Sequence, residues 1–431
     1  MTAPASPPSA RRRTVITGVG VVAPGGIGAG PFWDLISSGT TATRRITQFD
    51  ASAHRCQVAA ECDFDPAASG LTPQEIRRTD RFVQLAKVSA DEAVRDSGLE
   101  IDGAVAERTG VAMGSAVAGT KSMEQEYVVL SDGGADWVVD PAYTSPHMYD
   151  YFLPSSAAAE VALTTGARGP ATVVSTGCTS GIDAVAHAAE VIRDGSADVV
   201  VTGGSDAPIS PITVTCFDVI KAQSVYNDDP ERACRPFDRT RRGLILGEGA
   251  AVLVLEEYEH ARRRGAHVYA EVAGAASRCN AFHMTGLKPD GREMAEAITA
   301  ALDEARMNPG DLDYVNAHGS GTKQNDRHET AAFKRALGER AHRIPVSGIK
   351  SMVGHSLGAI GSIEIAACAL AMEHGVVPPT ANLREADPEC DLDYVPLVAR
   401  EHRIGGALTV GSGFGGFQSA MVFRDPEGRT R

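Results

Sequence analysis

The 431-residue chain repeats itself, faintly in residue identity but in constant order, and this repeat limits the possible folds more than any other feature. One copy reads helix, strand, glycine turn, helix over residues 155–165, 171–176, 177–181 and 182–194. The other reads the same over 329–337, 344–348, 349–358 and 359–373. Both final helices keep apolar residues at i, i+3, i+4 and i+7: Ile182, Val185, Ala186 and Ala189, then Ile363, Ala366, Ala367 and Leu370. The match continues downstream, where 197–204 (ADVVVTGG) resembles 407–413 (ALTVGSG) and 250–256 resembles 419–424 as return strands. Upstream, 109–118 (TGVAMGSAVA) corresponds to 313–322 (DYVNAHGSGT). The offset varies between roughly 175 and 210 residues, so insertions separate the matched pieces. Strands alternating with helices predict right-handed crossovers and a parallel sheet covered on both faces. Two such halves predict an α/β chain in five layers, α over β over α over β over α, with the active site between the halves.

Cys178 falls where a strand of the first copy becomes a helix, in the turn Gly177-Cys178-Thr179-Ser180-Gly181. A thiol there faces free backbone N–H groups and the positive end of the helix dipole, both of which favour the nucleophilic thiolate. The competing reading is a buried structural cysteine, the common fate of a free thiol.

Two histidines occupy glycine-flanked strand ends: His318 in Asn316-Ala317-His318-Gly319-Ser320-Gly321-Thr322, and His355 in Val353-Gly354-His355-Ser356-Leu357-Gly358. Small neighbours let substrate and backbone approach closely. A lone histidine is usually a satisfied core residue, but two after equivalent strands plus a cysteine after a third suit acyl chemistry on thioesters. Neutral imidazoles can donate to the oxygen of an enolate or thioester carbonyl. A protease or thioesterase needs one histidine and an orienting Asn or Asp, so the second histidine points to another task, stabilising a carbanion equivalent. Lys350 precedes His355 by five residues, and Thr322, Asp326 and Glu329 follow His318. A Lys350–Glu329 pair could orient the histidines, or be a supporting salt bridge without direct chemistry. The glycine run 411–417 reads either as a tight turn or as a backbone donor with an aromatic gate, Phe414.

Composition bounds the rest. Hydrophobic residues at 43% and charged ones at 22% describe a globular chain, long enough for two domains or two fused halves. We expect a disordered tail over 1–11 and halves over 12–260 and 261–425. No apolar run reaches a membrane span in this reading and no signal-peptide segment is seen at the start, so a cytoplasmic protein is expected. The eight cysteines form no C-x-x-C pair, so neither a zinc site nor a redox dithiol is suggested. A formal charge of −14 argues against nucleic acid. Arginine clusters at 11–13, 77–81, 239–242 and 262–264 read mostly as solvated surface, with one a candidate contact for an acidic partner. The loose dinucleotide pattern Gly18-Val19-Gly20-Val21-Val22-Ala23 is discounted, because Pro24-Gly25-Gly26 follows where a phosphate-binding helix must begin.

Taken together, the Gly-Cys-Thr-Ser-Gly elbow, Asn-Ala-His-Gly-Ser-Gly-Thr, Lys-Ser-Met-Val-Gly-His-Ser-Leu-Gly-Ala and Gly-Phe-Gly-Gly resemble, in order, the β-ketoacyl-ACP synthases of the thiolase fold. The resemblance covers nearly all of residues 12–425. Segments 15–27, 149–156, 205–213, 278–291 and 322–332 resemble more closely the ketosynthase α subunit of bacterial type II polyketide synthases. This resemblance implies decarboxylative condensation of malonyl-ACP with a chain held on Cys178. His318 and His355 are implied to promote decarboxylation, Lys350 to be the family's lysine with Glu329 as partner, and Asp326 to support the loop. Backbone N–H groups of Cys178 and Phe414 are implied to form an oxyanion hole, with Phe414 also the gate. No metal and no bound cofactor is implied. Phosphopantetheine arrives on an acyl carrier protein, and a chain-length-factor subunit completes a heterodimer. The nearest rival is a homodimeric fatty-acid synthase of the same chemistry; a Cys–His hydrolase and a noncatalytic scaffold subunit are the others.

Overall fold

The computed structural model describes residues 12–136 and 141–427, so the tail expected over 1–11 lies outside the described residues. The strands that organise the fold are β1 (Thr14–Ala23), β2 (Thr109–Gly114), β3 (Ala171–Val174), β4 (Val199–Asp206) and β5 (Gly249–Glu257) in the first half. The second half supplies β6 (Ala270–Cys279), β7 (Tyr314–Asn316), β8 (Val346–Ser347), β9 (Gly406–Gly413) and β10 (Phe417–Arg424). The principal helices are α1 (Arg81–Ser97), α2 (Ser156–Thr165), α3 (Ser180–Arg193), α4 (Arg292–Ala305), α5 (Lys323–Leu337) and α6 (Ile360–His374).

The strands lie in the order β8-β7-β9-β10-β6-β1-β5-β4-β2-β3. Read outward from its centre, this is the same sequence of connections twice: β1-β5-β4-β2-β3 one way and β6-β10-β9-β7-β8 the other. The repeat seen in the sequence is therefore a repeat of topology. Two expectations change. The parallel character is confined to β3-β2-β4 and β8-β7-β9, whereas β5, β1, β10 and β6 pair antiparallel; β9 returns directly as β10 through residues 414–416, while β4 returns as β5 only after the long segment 207–248. The two sheets are also joined at one edge, where Val15 pairs with Glu271 and Ile16 with Ala270.

Helices α3 and α6 pack between the halves, α1 and α2 cover the outer face of the first, and α4 and α5 that of the second. Three separate apolar cores fill the spaces of the five layers. The residues 357–374, including α6, are apolar and long enough to cross a membrane by length and composition alone, but 83% of that stretch is buried inside the protein. It is the middle of the stack. Glycines set the closest approaches: a Cβ on Gly18 or Gly20 would lie 2.1 Å from Ala93 O and 2.0 Å from Ser89 O. The nucleotide-like glycine pattern is thus explained by α1 lying directly on β1.

The contact that makes the site is between α3 and α6. A Cβ on Gly181 would lie 2.6 Å from Ser362 N and 2.9 Å from Gly358 O, so the two helices cross with backbone touching backbone at their N-termini. Each helix is preceded by a one-turn 3-10 segment, Gly177–Thr179 and Leu357–Ala359. The repeat consequently superimposes Cys178 on Gly358, and His355 stands three residues before that point.

Candidate active site

Cys178 lies in the 3-10 turn that leads into α3 and is 8% exposed. Its turn is braced from several sides. Thr176 N donates to Ser180 Oγ (3.0 Å), Ser180 Oγ donates to Gly177 O (2.6 Å), and Asp183 accepts from Thr179 Oγ1 (2.8 Å) and Ser419 Oγ (2.6 Å). Burial pushes the thiol up to about 11, against the pull of the Lys350 ammonium and of the backbone N–H groups of Phe414 and Cys178 itself. Helix-start geometry favours thiolate, as the sequence suggests, but loss of water outweighs it here. At rest Cys178 is a protonated thiol.

His318 and His355 lie edge to face, ring centroids 5.3 Å apart. Both are buried, and burial first, then the Lys350 ammonium, holds each well below 6.5, so both rings are neutral. Their tautomers follow from their partners. Lys350 Nζ, which has only donors, sits 3.3 Å from His318 Nδ1. Leu357 N donates to His355 Nδ1 at 3.2 Å. Each Nδ1 is therefore an acceptor, and each ring carries its proton on Nε2.

Lys350 is fully buried and pairs with Glu364 on α6, Nζ to Oε1 2.5 Å, while donating also to His318 O. This corrects the expected Lys350–Glu329 pair. Glu329 instead accepts the backbone N–H groups of His318 and Gly319, the latter at 2.9 Å, and burial raises its carboxyl to about 8. Asp326 lies beneath the same loop, accepting from Phe237 N (2.9 Å) and Gly321 N (3.2 Å) and paired with Arg241 Nε at 3.0 Å. Arg241, expected within a solvated cluster, is wholly buried between Asp326 and Asp387. Thr322 caps α5 by accepting from Asn325 N (3.2 Å) and bonds Ser320 Oγ (3.0 Å).

Cys178, His318, His355, Thr322 and Phe414 all border one cavity of about 710 Å³. Phe414 stacks on Phe217, centroids 6.0 Å apart, on a loop where Gly415 and Gly416 take φ of +91° and +87°. Among the described residues, no group of three or more His, Cys, Asp or Glu is placed to hold a metal ion. Sequence reasoning missed two acids: Glu364, signalled by a lone carboxylate inside the apolar stretch 359–372, and Asp206 at the end of β4.

A neutral thiol beside two imidazole N–H donors, under a duplicated five-layer fold, defines a thioester-handling condensing enzyme. Family models for the β-ketoacyl synthase N-terminal domain and C-terminal domain match residues 11–261 and 269–384. The chain belongs to the β-ketoacyl synthase family, whose members are acyl-transferring condensing enzymes. Within that family, relatives 60–64% identical over nearly the full length are ketosynthase α subunits of type II polyketide synthases. It is 64% identical over 418 residues to the tetracenomycin polyketide synthase ketoacyl synthase alpha subunit of Streptomyces glaucescens, covering 97% of this chain and 98% of that one. It is 64% identical over 417 residues to the actinorhodin polyketide putative beta-ketoacyl synthase 1 of Streptomyces coelicolor, covering 97% and 89%. Among solved structures, a type II polyketide synthase acyl-carrier protein in complex with its ketosynthase bound to a hexaketide matches with a TM-score of 0.90. The match has 38% identity over 96% of this chain and 99% of that one.

Proposed function

We propose that the chain elongates a poly-β-ketoacyl chain by decarboxylative Claisen condensation, with Cys178 as nucleophile and His318 and His355 as paired donors to the enolate oxygen. The observation that carries this is the tautomer pair: two neutral rings, each with Nε2–H left for the cavity that Cys178 borders. A hydrolase has no use for the second donor.

In the first half-reaction the Cys178 sulfur attacks the thioester carbonyl of a chain carried on phosphopantetheine. The oxyanion is held by the N–H groups of Cys178 and Phe414. The carbon–sulfur bond to pantetheine breaks, and that sulfur leaves with the proton Cys178 gives up. In the second, the malonyl thioester carbonyl accepts from His318 and His355 Nε2–H. Carbon dioxide departs, the electrons of the broken carbon–carbon bond form the enolate, and its carbon attacks the Cys178 thioester. The carbon–sulfur bond to Cys178 breaks, the thiolate takes a proton from water, and the chain on the carrier is two carbons longer. Lys350 holds His318 in its donor tautomer, with Glu364 balancing its charge; Glu329, Asp326 and Thr322 keep the His318 loop in place. Phe414, stacked on Phe217 at the border of the cavity, serves as its gate.

The partners in this reading are an acyl carrier protein, with malonyl-ACP as extender, and a chain-length-factor subunit in a heterodimer. A solved relative bound to its acyl-carrier protein, and the similarity to ketosynthase α subunits, support it. The halves 12–260 and 261–425 act as one unit, and a cytoplasmic enzyme fits soluble carrier-borne substrates. The test is mass spectrometry of products from the chain with and without a co-encoded partner, supplied with malonyl-ACP. Polyketide formed only with the partner supports the reading; full activity of the homodimer on reduced acyl chains favours the fatty-acid rival, and free acid without a new carbon–carbon bond favours a hydrolase.

A further inference from the structure

The fold repeat makes Leu357 the counterpart of Gly177, since each opens the 3-10 turn before a central helix. Both take a left-handed backbone, with φ of +61° at Gly177 and +50° at Leu357. Glycine adopts this freely, whereas leucine pays for its Cβ and must be held there. The next residue in each copy is Cys178 or Gly358. In the first copy the Cys178 N–H is turned to the thiol site; in the second the Gly358 N–H donates to Asp206 Oδ2 at 2.7 Å. An internal carboxylate thus fills, in the second copy, the anion position that the first copy leaves for substrate.

Asp206 is fully buried and accepts four donors: Gly358 N, Ala116 N (2.8 Å), Val117 N (3.2 Å) and Ser115 Oγ (2.6 Å). It therefore ties the end of β2 and the end of β4 to the turn that follows His355. One bond further on, Leu357 N donates to His355 Nδ1. That donor belongs to the Ser356–Leu357 peptide, which is joined to the Gly358 peptide only through Leu357, so its aim at the ring depends on where the Gly358 N–H is held and on the left-handed backbone at Leu357 between them.

Resting on the functional reading above, we infer that Asp206 is a positioning residue: by accepting the Gly358 N–H it holds Leu357 left-handed, so that the Leu357 N–H fixes His355 with its proton on Nε2, facing substrate. Asp206 acts through two backbone groups and touches no reacting atom.

The test uses the full chain with its partner subunit, selectively ¹⁵N-histidine labelled, with the His355 signals assigned by their loss in His355→Gln. Two readouts are taken: the His355 tautomer and the kcat and KM of malonyl-ACP decarboxylation. Asp206→Ala should move His355 away from pure Nε2–H and lower kcat about tenfold or more with KM nearly unchanged, as for loss of an oxyanion donor. Asp206→Asn, whose amide oxygen can still meet Gly358 N and Ala116 N while its NH2 meets Ser115 Oγ and gives up only the Val117 N–H contact, should keep the tautomer and stay within roughly threefold of wild type. If Asp206→Ala fails to fold, the Asp206→Ala/Leu357→Gly double variant serves, because glycine reaches the left-handed backbone without strain. It should return the Nε2–H tautomer and stay within about threefold of Leu357→Gly alone. An Asp206→Ala protein with an unchanged tautomer and unchanged kcat overturns the proposal, as does a double variant no better than Asp206→Ala. Wild-type His355 carrying its proton on Nδ1 overturns the functional reading itself, which separates the two failures.

Discussion

Lys350 and Glu364 form an ion pair with both side chains fully buried, Nζ to Oε1 2.5 Å, and the same ammonium lies 3.3 Å from His318 Nδ1. One charge pair thereby sets the proton position of an imidazole on the loop that follows β7. Removing one partner of a buried pair leaves the other charged and unsolvated, which typically costs about 3–5 kcal/mol. Glu364→Gln is accordingly expected to lower unfolding free energy by that order in a denaturant titration. A loss of less than about 1 kcal/mol, the value of a surface pair, contradicts a fully desolvated pair.

The pH dependence of stability has a definite sign at the histidines. Burial and the Lys350 ammonium hold His318 and His355 well below 6.5 in the folded protein, whereas in the unfolded chain they titrate near 6.5. Below that pH the unfolded state binds protons that the folded state refuses, so stability falls on acidification, and above it these groups add no slope. His355→Gln should flatten the decline between about pH 6.5 and 5 by up to one proton's worth of slope. An unchanged slope in unfolding titrations of the variant contradicts a depressed His355.

The thiol predicts the opposite flank. With Cys178 pushed up to about 11, the rate of its alkylation by iodoacetamide in the free enzyme should keep climbing, about tenfold per pH unit, to beyond pH 9. A plateau near pH 7, read by peptide mapping of labelled Cys178, would mean that helix-end electrostatics overcome burial after all.

Gly181→Ala places a methyl against Ser362 N and Gly358 O, both backbone atoms that cannot swing aside. Overpacking of this kind costs roughly 1–3 kcal/mol, and here it also pushes apart the helix starts that carry Cys178 and follow His355. Expected are a lowered Tm and a loss of condensation larger than the loss of folded protein accounts for. A variant of wild-type Tm and wild-type activity contradicts the backbone-to-backbone crossing.

Much of this was legible in the sequence, and for identifiable reasons. The strand ends of β2, β4, β7 and β9 carry glycines because backbones converge there, and those glycines made the repeat visible. Cys178, His318 and His355 stood out by the small residues around them. What stayed hidden depends on contacts distant in sequence. Lys350 is 21 residues from Glu329 and 14 from Glu364, and only the crossing of α6 decides between them. Asp206 looks like an ordinary strand-end acid until Gly358 is brought 152 residues back to meet it. The antiparallel half of each sheet carries no period that distinguishes it from the parallel half, since both are buried on two faces. The thiol's state depends on how much water the closed fold removes, which no local motif states.

The central claim is that the chain grows on Cys178 while the two imidazoles serve the extender. Its most direct measurement is mass spectrometry, with peptide mapping, of the chain and its partner subunit after incubation with an acyl-ACP thioester. The account predicts an acyl adduct on Cys178 in the wild type, the same adduct in His318→Ala and His355→Ala with malonyl-ACP decarboxylation lost, and none in Cys178→Ala. An adduct on another residue, or one that persists in Cys178→Ala, contradicts it.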